Sequence, residues 1–137
     1  GVLAAVCLHE GNCSTVAMLV LNVGYEALRA KPSALAGFGA AIREGLVAEA
    51  GYGLQPSHVQ LEMFAGSVWV LASLFAPNDV RPRMISRLRS SATLRSALEA
   101  KVTSVQGMDQ IATGPVQVLL NFVDTKAGGD EAVDDGA

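Results

Sequence analysis

Strict alternation over residues 58–63 is the strongest constraint in this sequence. Val59, Leu61 and Met63 are apolar, and His58, Gln60 and Glu62 are polar. Successive side chains of a strand point to opposite faces, so the stretch reads as a strand with one buried face. Ala65-Gly66 follows and offers a tight turn. Ser67 to Phe75 is then apolar on both faces, and the two runs read as a β-hairpin.

The remaining segments fit around that hairpin. Ser14 to Val23, rich in Val, Leu and Met, reads as a buried strand. Lys31-Pro32-Ser33 marks a turn. From Ser33 to Ala50, Leu35, Phe38, Ile42, Leu46 and Val47 recur at helical spacing, with Arg43, Glu44 and Glu49 on the other side. Ser33 is the expected N-cap and Gly51 the expected C-cap. Gly37, Gly39 and Gly45 each weaken this helix by about 1 kcal/mol relative to Ala, and they allow close approach of the helix to a sheet. Asn78-Asp79 opens a second helical region that runs to about Ser104. Ile85, Leu88, Leu94, Leu98 and Val102 line its apolar side, and Ser90-Ser91 divides it. Gly107 ends it, and Gly114-Pro115 precedes a last strand, Val116 to Val123. The order is β-α-β-β-α-β. It predicts an α+β, ferredoxin-like sandwich: a four-stranded antiparallel sheet with helices on one face.

A length of 137 residues suits one domain. The expected division is an apolar N-terminal extension (1–13), the domain (14–123) and an acidic flexible tail (124–137). With half of the residues apolar and 17% charged, the chain as a whole is not of the disordered class. No apolar run reaches the roughly 20 residues that cross a bilayer. The net charge of −3 belongs to the tail, where Asp124, Asp130, Glu131, Asp134 and Asp135 face only Lys126; the rest holds 8 acids and 9 bases. Cys7 and Cys13 are too few for a disulfide scaffold. Their spacing fits a local disulfide and two free thiols equally. Residues 1–8 read as the remnant of a targeting segment, as a strand or as a stretch lying against the fold. Asn12-Cys13-Ser14 has the form of a glycosylation acceptor.

Phe64-Ala65-Gly66-Ser67-Val68-Trp69-Val70 resembles the Gly-Ser-Val-Val-Val hairpin of SEA domains. The approach Leu54-Gln55-Pro56-Ser57-His58-Val59, the two-part helical stretch and the final strand agree with that family over residues 14–123. The resemblance implies an extracellular or lumenal module, usually near a membrane. Some SEA domains cleave themselves. By resemblance Ser67 would attack the Gly66 carbonyl under backbone strain, and the ester would hydrolyse. Trp69 stands where the family carries a small aliphatic residue, and an Ala65-Gly66 turn is expected to be unstrained. A non-catalytic module is therefore the expectation.

Three features are candidates for function. The first is the open face of the sheet. A two-residue turn at Ala65-Gly66 sets Met63 opposite Val68, Leu61 opposite Val70 and Val59 opposite Ala72, all toward the helices. The other face then shows Glu62 beside Trp69, Gln60 beside Leu71 and His58 beside Ser73. Placing Asn22 outward in the first strand places Met18 and Val20 outward too, and Leu119 lies outward between Gln117 and Asn121. Met18, Val20, Trp69, Leu71 and Leu119 would form a partner-binding patch, covered either by residues 1–8 or by another protein. The second is the arginine cluster Arg81, Arg83, Arg87 and Arg89, a docking surface for an acidic partner or anionic lipid headgroups. Nucleic acid is disfavoured by a pI near 5.3 and by the lack of an aromatic stacking pair. The third is His58 with His9, whose surroundings lack the spacing of a metal site. Gly37-Phe38-Gly39 lies inside a helical pattern and is no phosphate loop, and no cofactor, metal or small-molecule substrate is expected. The favoured function is a non-catalytic protein-interaction or structural module, extracytoplasmic in setting. The alternatives are a small accessory subunit of a larger assembly, such as a photosynthetic complex of an organelle membrane, and a self-cleaving module cut between Gly66 and Ser67.

Overall fold

A computed structural model describes residues 13–123. The N-terminal extension before Cys13, with Cys7, His9 and Asn12, and the acidic tail lie outside the described residues. The elements are β1 (Cys13–Gly24), α1 (Tyr25–Arg29), α2 (Pro32–Ala50), a 3₁₀ turn (Pro56–His58), β2 (Val59–Phe64), β3 (Ser67–Phe75), α3 (Arg81–Ser90), α4 (Leu94–Thr103), α5 (Met108–Ile111) and β4 (Gln117–Val123). The sheet order is β2-β3-β1-β4, antiparallel throughout, with the helices packed on one face. This is the α+β, ferredoxin-like sandwich that the order of segments predicts. The short helices α1 and α5 were not expected, because one turn of helix is too short to show a period.

Local chemistry accounts for the helix ends. α2 starts at Pro32 rather than after Ser33. Proline at the first helical position has the right φ and lacks an N–H that would be unpaired there anyway. At the other end Gly51 adopts φ 69° and donates its N–H to the Val47 carbonyl at 3.2 Å, closing the last turn. The break between α3 and α4 is built by Ser91. Its hydroxyl accepts the Leu94 N–H at 3.0 Å and donates to Glu49 Oε1 at 2.7 Å, while the Thr93 hydroxyl reaches the same carboxylate oxygen at 2.9 Å. The start of α4 is thereby fastened to the end of α2.

The glycines of α2 serve helix–helix contact more than helix–sheet contact. A Cβ on Gly45 would lie 2.5 Å from Leu98 Cδ2, and one on Gly37 would lie 2.9 Å from Val105 Cγ1. Only Gly39 is turned to the sheet, near Leu61 and Met63. The core forms between Phe38, Ile42 and Leu46 of α2, Met84 and Leu88 of α3, Leu98 and Val102 of α4, and the inner faces of β1 and β3.

The sheet corrects two expectations of register. In the hairpin Met63 pairs with Val70, Leu61 with Ala72 and Val59 with Leu74, two residues from the expected pairing. A shift of two keeps every side chain on its face. Phe64 consequently pairs with Trp69, Glu62 with Leu71 and Gln60 with Ser73. In β1 the expected faces are reversed. Met18 and Val20, expected outward, are fully buried under the helices with Val16. The cause is Asn22, which has φ 68° and sits in a register shift between Val20 and Gly24. Reading parity backward from Asn22 therefore inverts the strand. Asn is among the few residues that enter the left-handed region readily. Here its amide donates to the Pro115 carbonyl at 2.6 Å, and its own carbonyl accepts the Thr113 N–H at 2.9 Å. Cys13 is buried and is not a free thiol.

This assignment of faces has a direct consequence. Met18→Ala should cost about 2–5 kcal/mol of stability, the range for emptying a core site, whereas Leu19→Ala, next door on the half-buried face, should cost clearly less. Denaturant midpoints of the two variants decide it; equal losses would contradict the register.

Candidate functional site

The open face of the sheet presents one continuous apolar row. β1 pairs Leu19 with Trp69 on one side and with Leu119 on the other, and Trp69 pairs with Phe64. The order across the four strands is thus Phe64, Trp69, Leu19, Leu119. Phe64, Trp69 and Leu119 remain 40%, 46% and 43% exposed, and Leu19 is half-buried. With neighbouring strands about 4.8 Å apart, the row spans about 14 Å from the first strand to the fourth. The next row reads Glu62, Leu71, Ala17, Asn121. Toward Cys13 the same face is closed, since Thr15 and Ser73 are buried. Of the five residues expected on this patch, Trp69, Leu71 and Leu119 lie on the open face and Met18 and Val20 do not. Leu19 and Phe64 take their places. The strand pattern shows neither: a left-handed Asn22 places Leu19 outward, and a hairpin connection two residues longer than expected brings Phe64 opposite Trp69.

Both edges of the sheet are engaged by side chains from the helices. Arg43 of α2 donates Nε–H to the Val59 carbonyl of β2 at 3.1 Å. Glu99 of α4 accepts the Val118 N–H of β4 at 2.9 Å and is also paired with Arg95 at 3.2 Å. Such contacts guard edge strands against pairing with another chain.

The Gly66–Ser67 step lies at the tip of the hairpin. Gly66 has φ 96°, a conformation glycine adopts without steric cost. Its carbonyl accepts the Tyr25 N–H at 3.0 Å, and Ser67 is already in register with Gly24 of β1. His58 is not on a strand face. It closes the 3₁₀ turn, its Nδ1 accepting the Gln55 N–H at 3.0 Å.

The four arginines do not converge. At about 100° of helix rotation per residue, Arg83 and Arg87 share one side of α3 and Arg81 and Arg89 another. Arg81 is half-buried and donates to Ser14 Oγ, the Ala76 carbonyl and Asn78 Oδ1. Desolvation lowers its pKa, although an arginine remains charged at any physiological pH. Arg83 donates to the Asp79 carbonyl at 3.1 Å and Arg87 to the Glu49 carbonyl at 2.9 Å, the latter near the C-terminus of α2 where a cation is favoured. Arg89 lies 5.5 Å from the centre of the Phe122 ring. All four heads are in contact with groups of their own chain.

Among the described residues no His, Cys, Asp and Glu side chains gather in a group of three that could hold a metal, and no helix is long and apolar enough to cross a membrane. No protein-family model matches the chain, and no curated protein matches it significantly.

The electrostatics of the α2–α4 junction can be tested directly. The Ser91 hydroxyl, then that of Thr93, lowers the Glu49 pKa; partial desolvation opposes them, and Arg87 adds a smaller lowering. A folded pKa below the unfolded one gives stability that is full above the unfolded value and lost as pH falls through the folded value. Ser91→Ala should raise the Glu49 titration midpoint seen by NMR and cost about 1 kcal/mol, as loss of an ordinary hydrogen bond does. An unchanged midpoint would contradict the geometry.

Proposed function

We propose that this chain is a non-catalytic protein-interaction module that meets a protein partner through the open face of its sheet. One observation carries this reading: three large apolar side chains, Phe64, Trp69 and Leu119, are each more than a third exposed in a single row with Leu19. A soluble monomer seldom leaves such side chains contiguous in water, and an interface core is enriched in aromatic residues. All nine Lys and Arg residues between 13 and 123 lie on helices or their connections, so this face offers nothing to a phosphate backbone. The relaxed glycine conformation at Gly66 favours a module that stays whole over one that cuts itself. The resemblance to SEA domains supports an extracellular or lumenal setting.

Trp69 is the sole tryptophan, so its fluorescence reports from the site itself. In the isolated chain its emission should be that of a partly solvated indole, open to an aqueous quencher. In a complex isolated from the source it should shift to the blue and lose quenching, and Leu119→Glu should dissociate that complex while leaving the fold intact by circular dichroism. A complex that tolerates Leu119→Glu would refute the reading. Intact mass of the same preparation should show one uncut chain; two fragments joined at Gly66/Ser67 and abolished by Ser67→Ala would establish self-cleavage instead.

A further inference from the structure

One end of the sheet's outer face is covered, although the helices pack on the other side. Cys13, Thr15 and Ala17 follow one another along the outward side of β1, and Ser73 of β3 is in register with Thr15. Their exposures are 0%, 4%, 7% and 1%. The connections at this end, residues 51–58 and 76–80, are mostly exposed, and Leu54, the one buried residue in them, belongs to the core cluster. We infer that residues 1–6 lie in extended form along β1 over Cys13, Thr15, Ala17 and Ser73, pinned by a disulfide between Cys7 and Cys13. The inference does not depend on what binds the apolar row of Phe64, Trp69, Leu19 and Leu119.

The anchor comes from Cys13. It is disulfide-bonded, and Cys7 is the only other cysteine of the chain. A bond between the two holds their Cα atoms within about 7 Å of each other. The segment before Cys7 therefore starts at the closed end of the face.

The shape of the buried strip fits such a segment. Gln60, paired with Ser73 on one side, and Asn121, paired with Ala17 on the other, are exposed. A covered strip that narrow suits one extended chain and not a helix, which is about 10 Å across. From Cys13 to Ala17 the strip is about 13 Å long, at about 3.3 Å per residue, and six extended residues span up to about 20 Å.

The chemistry agrees. Residues 1–6 read Gly, Val, Leu, Ala, Ala and Val, all small or aliphatic. Ser73 Oγ is buried without a hydrogen-bond partner, which is what an aliphatic covering leaves beneath it. The acidic tail also adjoins the strip, because Val123 pairs with Thr15. Residues 124–137 carry five acids and no Leu, Ile or aromatic residue, however, and burying carboxylates against an apolar strip is costly. The covering also sets the boundary of the partner surface: it ends at Ala17, one outward position short of Leu19, and leaves the apolar row open.

The test uses the full oxidised chain. Cleavage after Glu10 without reductant should leave two fragments joined, and a thiol reductant should separate them. Free thiols, or a Cys13–Cys13 link between two chains, would overturn the anchor. In methyl NMR of the same chain, nuclear Overhauser contacts should run from Val2, Leu3 and Val6 to the methyl groups of Thr15 and Ala17. Contacts from Val133 instead, or from neither segment, would overturn residues 1–6 as the covering. A soluble paramagnetic agent should broaden the Leu119 methyl signals of the wild type and spare those of Thr15 and Ala17. In the double variant Leu3→Asp, Val6→Asp, with its circular dichroism unchanged, the Thr15 and Ala17 signals should be lost to the agent as well. Signals that stay protected in that variant would refute the proposal. Should the variant not fold, the wild-type contacts decide alone. Leu119 stays accessible in each case, so the result is separate from the fate of the partner-binding reading.

Discussion

The structure depends on burying the inner faces of two central strands. β1 and β3 each have a strand on either side, so their backbone groups are paired within the sheet. Val16, Met18 and Val20 of β1 and Val68, Val70, Ala72 and Leu74 of β3 are all buried in the core, with Phe38, Ile42 and Leu46 of α2 packed in the same cluster. At roughly 25 cal/mol per Å² of apolar surface, this burial is the largest favourable contribution available to a domain of this size. The helices all cover that side. What the outer side of the same strands carries therefore stays uncovered by them, and here it is Trp69, Leu71 and Leu19, with Phe64 and Leu119 alongside.

Which half of β1 goes inside is decided at one residue. Asn22 in the left-handed region inserts a step into the alternation, so that Val20 and Val23, three apart, are both buried. Its side-chain and backbone bonds to Pro115 and Thr113 tie that step to the connection leading into β4. Gly114 fits beneath it, since a Cβ there would come within 3.3 Å of the Asn22 amide nitrogen. The irregularity thus belongs to the packing of the crossover as much as to the strand, and it sets the composition of the open face.

Charge is distributed to match. The cations lie on the helical side, and several are occupied with their own backbone: Arg43 with an edge strand, and Arg81, Arg83 and Arg87 with carbonyls in loops and at a helix end. Such a bond contributes about 1.5–3 kcal/mol where it is shielded from water and about 1 kcal/mol or less where it is exposed, as for Arg83 and Arg87. Glu99 plays the corresponding part at β4. One backbone group on each edge strand is thereby held by a helix side chain, and the open face between the edges carries the apolar row beside Glu62 and Asn121.

The order of elements was legible because each segment carries its own period: alternation in β2, spacing of three and four in α2 and α4, and glycine or proline at the junctions. The outward placement of Trp69, Leu71 and Leu119 was legible for the same reason, since their strands alternate without interruption. The positions of Met18, Val20, Leu19 and Phe64 were not, because a strand's parity is only as good as its regularity, and a left-handed Asn22 or a hairpin connection two residues longer is stabilised by contacts distant in sequence. The four arginines adjoin in sequence yet diverge in space because a helix turns them to different sides. Local pattern by itself determined which segments are strands and helices, since hydrophobic period is a property of neighbours along the chain. Tertiary structure alone decided which faces meet and which remain open, since register and the direction of a long side chain are settled by packing between segments far apart in sequence.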